Sequence, residues 1–374
     1  MKLLHIIQGS VGGTLEYLKL LIPRLKNLGY ENKVICQNEI CEELNTLSIE
    51  TYKIEMSREI SIKDDLISLM KILKVLKSYR PDICYLHSSK AGALGRLACF
   101  LTRTKCVYNP HGWSFAMQTG YINKLFYAFI EKSLSFLCSR IILISDAELS
   151  IAKNYHIAPE NKLITIYNGI DIDKFSEALA VDRKTILNSN GKNIVIGMVG
   201  RLTEQKDPLM FVKISAEILK VIKNAKFILV GDGNLREKTL SLAKELGVSD
   251  NLILTGWVKD PESYIKAFDV AVLTSRWEGF GLVLAEYMAA GKPIVASNID
   301  GIPYVITDKF DGLLATPGDV NDFVTKILSL INNKELSEQL TQNAKNTVRT
   351  KFSVDRVILE HAQLFNKISN DKLL

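Results

Sequence analysis

Short apolar runs rich in β-branched residues alternate with longer stretches of helical periodicity along the whole chain. In the first half the runs lie at residues 3–7, 33–37, 83–87, 106–110, 141–145 and 163–167, and in the second half at 194–200, 226–231, 251–256, 270–275 and 293–297. Strands that are apolar on both faces are typical of parallel sheets covered by helices on each side. The pattern therefore predicts doubly wound α/β structure in both halves.

The two series of runs are separated by residues 167–193, which are polar and lack the pattern of a buried strand. A length of 374 residues is enough for two domains that each bury a core. We therefore predict an N-terminal domain over residues 1–166 and a C-terminal domain over residues 167–352.

Composition and charge exclude several classes of protein. Charge-free apolar runs are far shorter than the about 18 residues of a membrane-spanning helix. The apolar run within the first ten residues is too short for the core of a signal peptide. We therefore expect a cytoplasmic protein. The net charge of +6 is too small for a nucleic-acid-binding surface. The six cysteines form no metal-ligating pattern, so we expect free, buried thiols.

The mild positive charge is concentrated in the first half of the chain. Residues 1–174 carry 22 Lys and Arg against 17 Asp and Glu, a net charge of +5, which leaves +1 for the rest. A predicted helix near residues 64–79 carries Lys71, Lys74 and Lys77 opposite a leucine stripe that includes Leu66, and residues 121–138 are rich in aromatic side chains. Core-facing helices with solvated faces explain both patterns, and peripheral contact with an anionic membrane is the alternative.

Two strand-to-helix junctions have glycines or cations that suit a phosphate. The first strand runs into residues 9–13, GSVGG, whose backbone N–H groups can approach a phosphate at the N-terminus of the next helix. The spacing matches neither a dinucleotide fingerprint nor a Walker loop, so a plain tight turn is an equal alternative. After Gly200, Arg201 and Lys206 lie five positions apart and can neutralise a diphosphate, with a solvated charged loop as the alternative.

A third junction, residues 275–293, is the most informative. Glu278 and Glu286 lie eight positions apart around a glycine-flanked loop, and Glu286 falls on an otherwise apolar predicted helix. An ionised carboxylate there needs hydrogen-bond partners, which sugar or ribose hydroxyl groups can supply. The backbone N–H groups of Phe280, Gly281 and Leu282 would face an anion at the helix N-terminus.

Together these segments resemble the retaining family-4 glycosyltransferases of the GT-B fold. The resemblance covers nearly the whole chain, through residues 9–13, 87–98, 109–115, 168–175, 199–208, 229–237, 254–260 and 278–286. It implies two Rossmann-like domains facing a central cleft, with the acceptor bound by the N-terminal domain and the nucleotide-sugar by the C-terminal domain. It also implies that the last helix, residues 353–374, packs back on the N-terminal domain.

The resemblance assigns roles to the charged residues of the C-terminal domain. Arg201 and Lys206 match the pair that neutralises the donor diphosphate. Glu278 matches the carboxylate that binds hydroxyl groups of the donor sugar, and Glu286 matches the one that binds the nucleotide ribose.

It assigns further roles to the glycine-rich loops and one histidine. The amides of Phe280, Gly281 and Leu282 would meet the sugar or the phosphate, and the segment 256–258, ending at Val258, would hold the base. Gly12 and Gly13 would close over the diphosphate, and His111 would lie beside the reacting sugar. The predicted catalytic residues are therefore His111, Arg201, Lys206 and Glu278.

Some residues depart from the family pattern or have weaker support. The acidic residue that usually follows the paired glycines is here Glu16, one place late, so it receives no role. Asp171 and Asp173 imitate the metal-binding pattern of other glycosyltransferases, but the resemblance implies no metal or other cofactor, and we interpret them as structural. His87 is a weaker candidate for lining the cleft near the acceptor.

The predicted reaction is metal-independent transfer of a sugar from a UDP- or GDP-sugar to a glycan acceptor, with retention at the anomeric carbon. The resemblance implies attack from the same face, with the leaving phosphate taking the acceptor proton. Segments 87–92 and 109–115 resemble those of enzymes of bacterial surface-polysaccharide assembly (O-antigen, capsule or exopolysaccharide), which suggests a lipid-linked acceptor at the inner membrane face. The alternatives are a GT-B nucleotide-sugar epimerase or hydrolase, and an inactive nucleotide-binding module.

Overall fold

The computed structural model describes residues 1–8, 13–57, 59–116, 121–187 and 192–371. The chain divides into two compact units, one formed by Met1–Asn168 with Val354–Leu374 and the other by Gly169–Ser353. Each unit contains a parallel sheet with interleaved helices. The predicted doubly wound α/β architecture is therefore confirmed.

In the first unit, seven strands within the described residues form one parallel sheet in the order β3-β2-β1-β4-β5-β6-β7. The strands are β1 (Lys2–Ile7), β2 (Glu31–Cys36), β3 (Glu50–Lys53), β4 (Ile83–His87), β5 (Lys105–Asn109), β6 (Arg140–Leu143) and β7 (Leu163–Thr165). The helices are α1 (Gly13–Asn27), α2 (Asn38–Thr46), α3 (Ile62–Tyr79), α4 (Ser89–Thr102), α5 (Tyr121–Ser135) and α6 (Asp146–Asn154).

In the second unit, the strands form a parallel sheet in the order β10-β9-β8-β11-β12-β13. They are β8 (Ile194–Val199), β9 (Ala225–Val230), β10 (Leu252–Gly256), β11 (Val270–Leu273), β12 (Ile294–Ser297) and β13 (Leu313–Ala315). The helices are α7 (Ile172–Ser176), α8 (Arg183–Leu187), α9 (Pro208–Val221), α10 (Arg236–Glu245), α11 (Pro261–Lys266), α12 (Leu282–Ala289), α13 (Ile302–Val305), α14 (Val320–Asn332) and α15 (Lys334–Lys351).

The last helix, α16 (Val354–Asn370), belongs to the first unit, where Val357, Phe365 and their neighbours join the core beneath α1. The face of α1 from Leu15 to Leu25 is buried, whereas Leu28 lies beyond the end of the helix at Asn27 and is 49% exposed.

Strand order decides where each sheet can hold a ligand. In the first unit β1 lies between β2 and β4, and in the second β8 lies between β9 and β11. In such sheets the two neighbours of the central strand are reached by connections on opposite faces, which leaves a crevice at the carboxyl ends of the strands. The loops that follow β1, β4, β8 and β11 are therefore the places where ligand-binding residues are expected.

The structure corrects two expectations about side chains. Cys36 and Cys41 form a disulfide, because α2 begins just after β2 and brings their Cα atoms to 5.9 Å. Free thiols are found only at the other four positions, which are all buried. On α3, Leu66 is 54% exposed, whereas Leu76 of the predicted leucine stripe is buried together with Ser68, Ile72 and Tyr79.

No helix within the described residues combines the length and apolar character needed to cross a membrane.

Candidate functional site

The loop that follows β8 carries the predicted cations. Arg201 is exposed and forms no ion pair with any described residue, whereas the Lys206 side chain is only 14% exposed. The loop lies against the end of β9, where a Cβ atom on Gly231 would approach the Gly200 carbonyl oxygen to 2.2 Å and where φ is +132°. Only glycine tolerates both conditions. The glycine at position 231 therefore allows the end of β9 to pack directly against the cationic loop.

A second loop, after β11, is bound tightly to the first. The Arg276 N–H donates to the Gln205 carbonyl oxygen at 2.8 Å. The Thr274 hydroxyl donates to the carbonyl oxygens of Lys206 and Asp207, at 2.9 and 3.0 Å. Because β8 and β11 are neighbouring parallel strands, both loops emerge at the same edge of the sheet.

Asp207 connects the two loops to a helix. One of its carboxylate oxygens accepts from the Met210 N–H at the start of α9, and the other accepts from Arg276 Nε at 2.7 Å. Asp207 itself has a φ of 47°, a left-handed conformation that short polar side chains tolerate better than most. Its contribution to the site was not predicted from the sequence.

Glu278 is the centre of the second loop. Its side chain is 10% exposed, and its Oε2 atom lies 2.5 Å from Lys206 Nζ and accepts from the Ser275 hydroxyl at 3.2 Å. Its N–H donates to Asp300 Oδ2 at 3.2 Å. The structure therefore brings two of the predicted catalytic residues into direct contact in a nearly buried ion pair, where charges are screened far less than at the surface.

The glycine loop ends at the N-terminus of α12. Gly281 caps the helix with a φ of +75°, and Leu282 is the first helical residue. Phe280 is buried against Phe352, with 5.4 Å between ring centroids. Glu286 is partly buried on α12, as predicted, and belongs to the helix rather than to the loop.

The segment predicted to hold a base lies at the end of β10. Gly256 accepts from the Gly231 N–H at 3.0 Å and has a φ of +72°. Val258 follows it and is partly buried, whereas Trp257 is 69% exposed. The end of β10 is thus joined to the same glycine segment that supports the cationic loop.

In the first unit, Gly13 is the first residue of α1 and is exposed, whereas Gly12 lies outside the described residues. His111 follows β5 and is partly buried, with a φ of 50°. Its N–H donates to Asn109 Oδ1 at 2.9 Å, and the Asn109 amide donates to the Tyr85 hydroxyl at 3.2 Å. Asn109 therefore stabilises the left-handed turn that orients the histidine.

A connected group of buried polar side chains extends behind His111. His87 Nδ1 lies 2.9 Å from His111 Nε2, and His87 Nε2 lies 3.2 Å from His5 Nδ1. His87 is completely buried, so the weaker prediction that it lines a cleft is wrong; its ring instead supports His111. Beside this group, the Tyr17 and Tyr85 hydroxyls meet His361 of α16 at 2.8 and 3.1 Å.

Asp171, the first residue of the Asp171–Asp173 pair, caps a helix. The Asp171 side chain accepts from the Lys174 N–H and caps α7 at its N-terminus. Within the described residues, no group of three or more His, Cys, Asp or Glu side chains has the arrangement of a metal site.

Comparisons with known proteins find glycosyltransferases similar to this chain. Residues 11–174 match the family model described as Glycosyltransferase Family 4, and residues 182–347 match the model described as Glycosyl transferases group 1. The UDP-Gal:alpha-D-GlcNAc-diphosphoundecaprenol alpha-1,3-galactosyltransferase of Escherichia coli is 31% identical over 85% of each chain. A capsular polysaccharide biosynthesis glycosyltransferase of Staphylococcus aureus, CapM, is 28% identical over 98% of this chain and 97% of its own.

Among solved structures, HepE of Anabaena in complex with UDP superposes with a TM-score of 0.85 at 20% identity, covering 98% of this chain and 99% of its own. A glycosyltransferase of Rickettsia africae superposes with the same TM-score and identity, covering 99% of both chains. These likenesses confirm the GT-B fold.

Proposed function

Because this chain belongs to the family-4 glycosyltransferases, we propose that it transfers a sugar from a nucleotide diphosphate-sugar to a glycan acceptor during assembly of a bacterial surface polysaccharide. The relatives named above include enzymes of lipid-linked oligosaccharide and capsule synthesis, which supports that pathway class.

The observation that carries this proposal is the contact of Lys206 with Glu278. A cation that can neutralise a diphosphate and a carboxylate that can accept from sugar hydroxyl groups lie 2.5 Å apart on two neighbouring loops. Arg201, exposed on the first of these loops, adds a planar guanidinium that can bind phosphate oxygens in a bidentate manner. A ligand that carries both a diphosphate and a sugar would suit this arrangement.

For the donor and the acceptor we propose a UDP-sugar, with UDP-galactose as the first to test, and a lipid diphosphate-linked glycan. The printed activity of the Escherichia coli relative supports this choice. At 31% identity the specificity can differ, so GDP-sugars remain part of the screen.

For the reaction we propose retention at the anomeric carbon without a metal ion. Departure of the nucleoside diphosphate creates the largest new charge, and preorganised cations and backbone N–H groups can stabilise it. Arg201, Lys206 and the amides at the start of α12 would supply that stabilisation.

We also propose that the first unit contacts an anionic membrane, which would bring the enzyme to a lipid-linked acceptor. Helix α5 exposes Ile122, Phe126 and Phe129, which are 81%, 51% and 69% exposed. On α3, Lys71 and Lys74 are exposed near Met70. Apolar side chains beside lysines are typical of interfacial helices.

The experiment is a transfer assay with radioactive UDP- and GDP-sugars and a synthetic lipid diphosphate-linked acceptor. We expect a labelled glycolipid that forms only when the acceptor is present, and NMR of the product should show the anomeric configuration of the donor. Complete release of free sugar without an acceptor would indicate a hydrolase, and an interconverted sugar would indicate an epimerase. Absence of any turnover, together with nucleotide binding, would support an inactive binding module.

A further inference from the structure

Four side chains of the first unit form one continuous hydrogen-bonded chain that ends at His111. Asn32 Oδ1 lies 3.1 Å from His5 Nε2, His5 Nδ1 lies 3.2 Å from His87 Nε2, and His87 Nδ1 lies 2.9 Å from His111 Nε2. His5 and His87 have no exposed surface. Each ring nitrogen in these contacts must either donate or accept, so the positions of the protons are coupled from one end to the other.

The orientation of Asn32 determines the direction of the chain. The Asn32 amide nitrogen donates to the Tyr30 carbonyl oxygen at 2.9 Å. A carbonyl oxygen only accepts, so the NH₂ group must face Tyr30 and the Oδ1 atom must face His5. His5 Nε2 therefore carries a proton, because an oxygen acceptor requires a donor.

The three rings are neutral around pH 7. Burial lowers the pKa of His5 to about 4 and the pKa of His111 to about 3, and it holds the pKa of His87 well below its usual value. A neutral imidazole has one N–H, so His5 Nδ1 must accept from His87 Nε2. By the same rule, His87 Nδ1 must accept from His111 Nε2.

We infer that the chain Asn32–His5–His87–His111 holds His111 in the tautomer protonated on Nε2, so that its Nδ1 atom is an acceptor for a hydroxyl group of a substrate. Within the described residues, Nδ1 of His111 has no hydrogen-bond partner. The identity of the hydroxyl group rests on the proposed function, whereas the tautomer does not. Asn32, His5 and His87 are positioning residues that act through His111.

The other titratable groups around the chain leave this assignment intact. Tyr85 on β4 and Tyr17 on α1 have a pKa raised by burial, so both remain protonated phenols. His361 on α16 has a pKa lowered to about 4, mainly by burial, and is neutral. Arg356, also on α16, acts on His361 by charge and so also favours the neutral ring.

The direct test is NMR of the ¹⁵N-histidine-labelled protein without substrate. We expect the Nε2–H pattern at His5, His87 and His111. His361 is an internal control with the opposite tautomer. Its Nδ1 atom lies 2.7 Å from the Val357 carbonyl oxygen and must carry the proton there. An Nδ1–H pattern at His111, or an imidazolium at His87 near pH 7, would overturn the inference. This measurement is independent of any transferase activity.

Two substitutions of Asn32 distinguish control of the His111 tautomer from structural support of the His111 ring alone. Asn32→Leu removes the acceptor, so His111 should become a mixture of tautomers and kcat should fall about tenfold, the effect of roughly one hydrogen bond. In Asn32→Asp the carboxylate still accepts but raises the pKa of His5.

Below that raised pKa, His5 of Asn32→Asp carries a proton on both ring nitrogens. Each donor and acceptor between His5 and His111 must then exchange roles, and the proton of His111 moves to Nδ1. We therefore expect near-normal kcat at about pH 9 and loss at about pH 6, where the wild type loses much less. An equal loss at every pH in Asn32→Asp, or an unchanged tautomer in Asn32→Leu, would contradict the inference.

Discussion

Replacement of the two cations of the β8 loop should separate catalysis from stability. Arg201 is exposed without an ion-pair partner among the described residues, whereas Lys206 is bonded to Glu278 with side-chain exposures of 14% and 10%. Arg201→Ala and Lys206→Ala both remove a positive charge. Only the second leaves a nearly buried carboxylate without its counter-charge.

The expected stability effects follow from this difference. Removal of one partner of a buried ion pair costs about 3–5 kcal/mol. We expect about 3 kcal/mol for Lys206→Ala, because both side chains keep some solvent and Glu278 keeps its bond from Ser275. For Arg201→Ala we expect less than about 0.5 kcal/mol, as for other exposed positions.

The activity effects should be alike for the two variants. Each cation would stabilise the departing diphosphate, so each substitution should cost roughly 2–4 kcal/mol of transition-state stabilisation, or about 30- to 1000-fold in kcat/KM. Urea unfolding measures the first quantity, and the transfer assay with radioactive donor measures the second.

The double variant Lys206→Met with Glu278→Gln is the matched control. It removes both charges, so it should recover most of the lost stability, since an ion pair replaced as a whole costs little. It should not recover activity. Near-normal turnover in both single variants would refute the proposed role in diphosphate binding, and a stable Lys206→Ala variant would refute the reasoning about the ion pair.

Four further predictions concern metal, membrane and pH. Transfer should persist in excess chelator; loss that magnesium or manganese restores would implicate Asp171 and Asp173. The protein should sediment with anionic vesicles but not with neutral ones. The triple change of Lys71, Lys74 and Lys77 to Glu should weaken that binding, because each lysine near the surface contributes about 1 kcal/mol; an unchanged triple variant would contradict this. Acidification from about pH 6.5 to 4 should lower the free energy of unfolding. In this range the histidines of the unfolded chain bind protons, whereas burial lowers the pKa of His5 and His361 to about 4 and keeps them neutral in the folded state. Glu148→Gln should become more stable than the wild type by roughly 3 kcal/mol at about pH 8, but by much less at about pH 5, because burial raises the pKa of that carboxyl to about 7. Urea unfolding across this pH range checks both effects, and a flat profile would contradict them.

Most strands that could be predicted from the sequence have side chains buried on both faces, although the partly buried edge strands β7 and β10 were also predicted, from their apolar runs. Two edge strands were missed, β3 (Glu50–Lys53) and β13 (Leu313–Ala315). β3 has the sequence ETYK with exposed ends, and β13 is apolar and buried but only three residues long, so neither forms an apolar run long enough to stand out from a loop. An edge strand is held by one neighbour only, and its formation depends on pairing that a local pattern does not contain.

The two loops that carry the candidate donor-binding residues could be singled out because their chemistry is local in sequence. Arg201 and Lys206 lie on one loop, and Glu278 lies on another with its own glycines. Their ion pair and the Asp207–Arg276 bond were not predictable, because these contacts depend on β8 and β11 being neighbours in the sheet. The apolar runs indicate which segments are strands, but they do not state the order of the strands.

The histidine chain likewise depends on contacts between strands that no local sequence pattern contains. His5 and His87 are 82 positions apart, and each lies in an apolar run where a single histidine is more often a satisfied core residue than a functional one. They meet because β1 pairs with β4, in a register that sets Ile7 opposite His87. The register of β4 with β5 then sets Asn109 opposite His87, which brings the turn at His111 within hydrogen-bonding distance. A residue's role in this unit is therefore set by the pairing of three strands, and a shift of one residue in either register would turn these side chains to the other face of the sheet and break the chain.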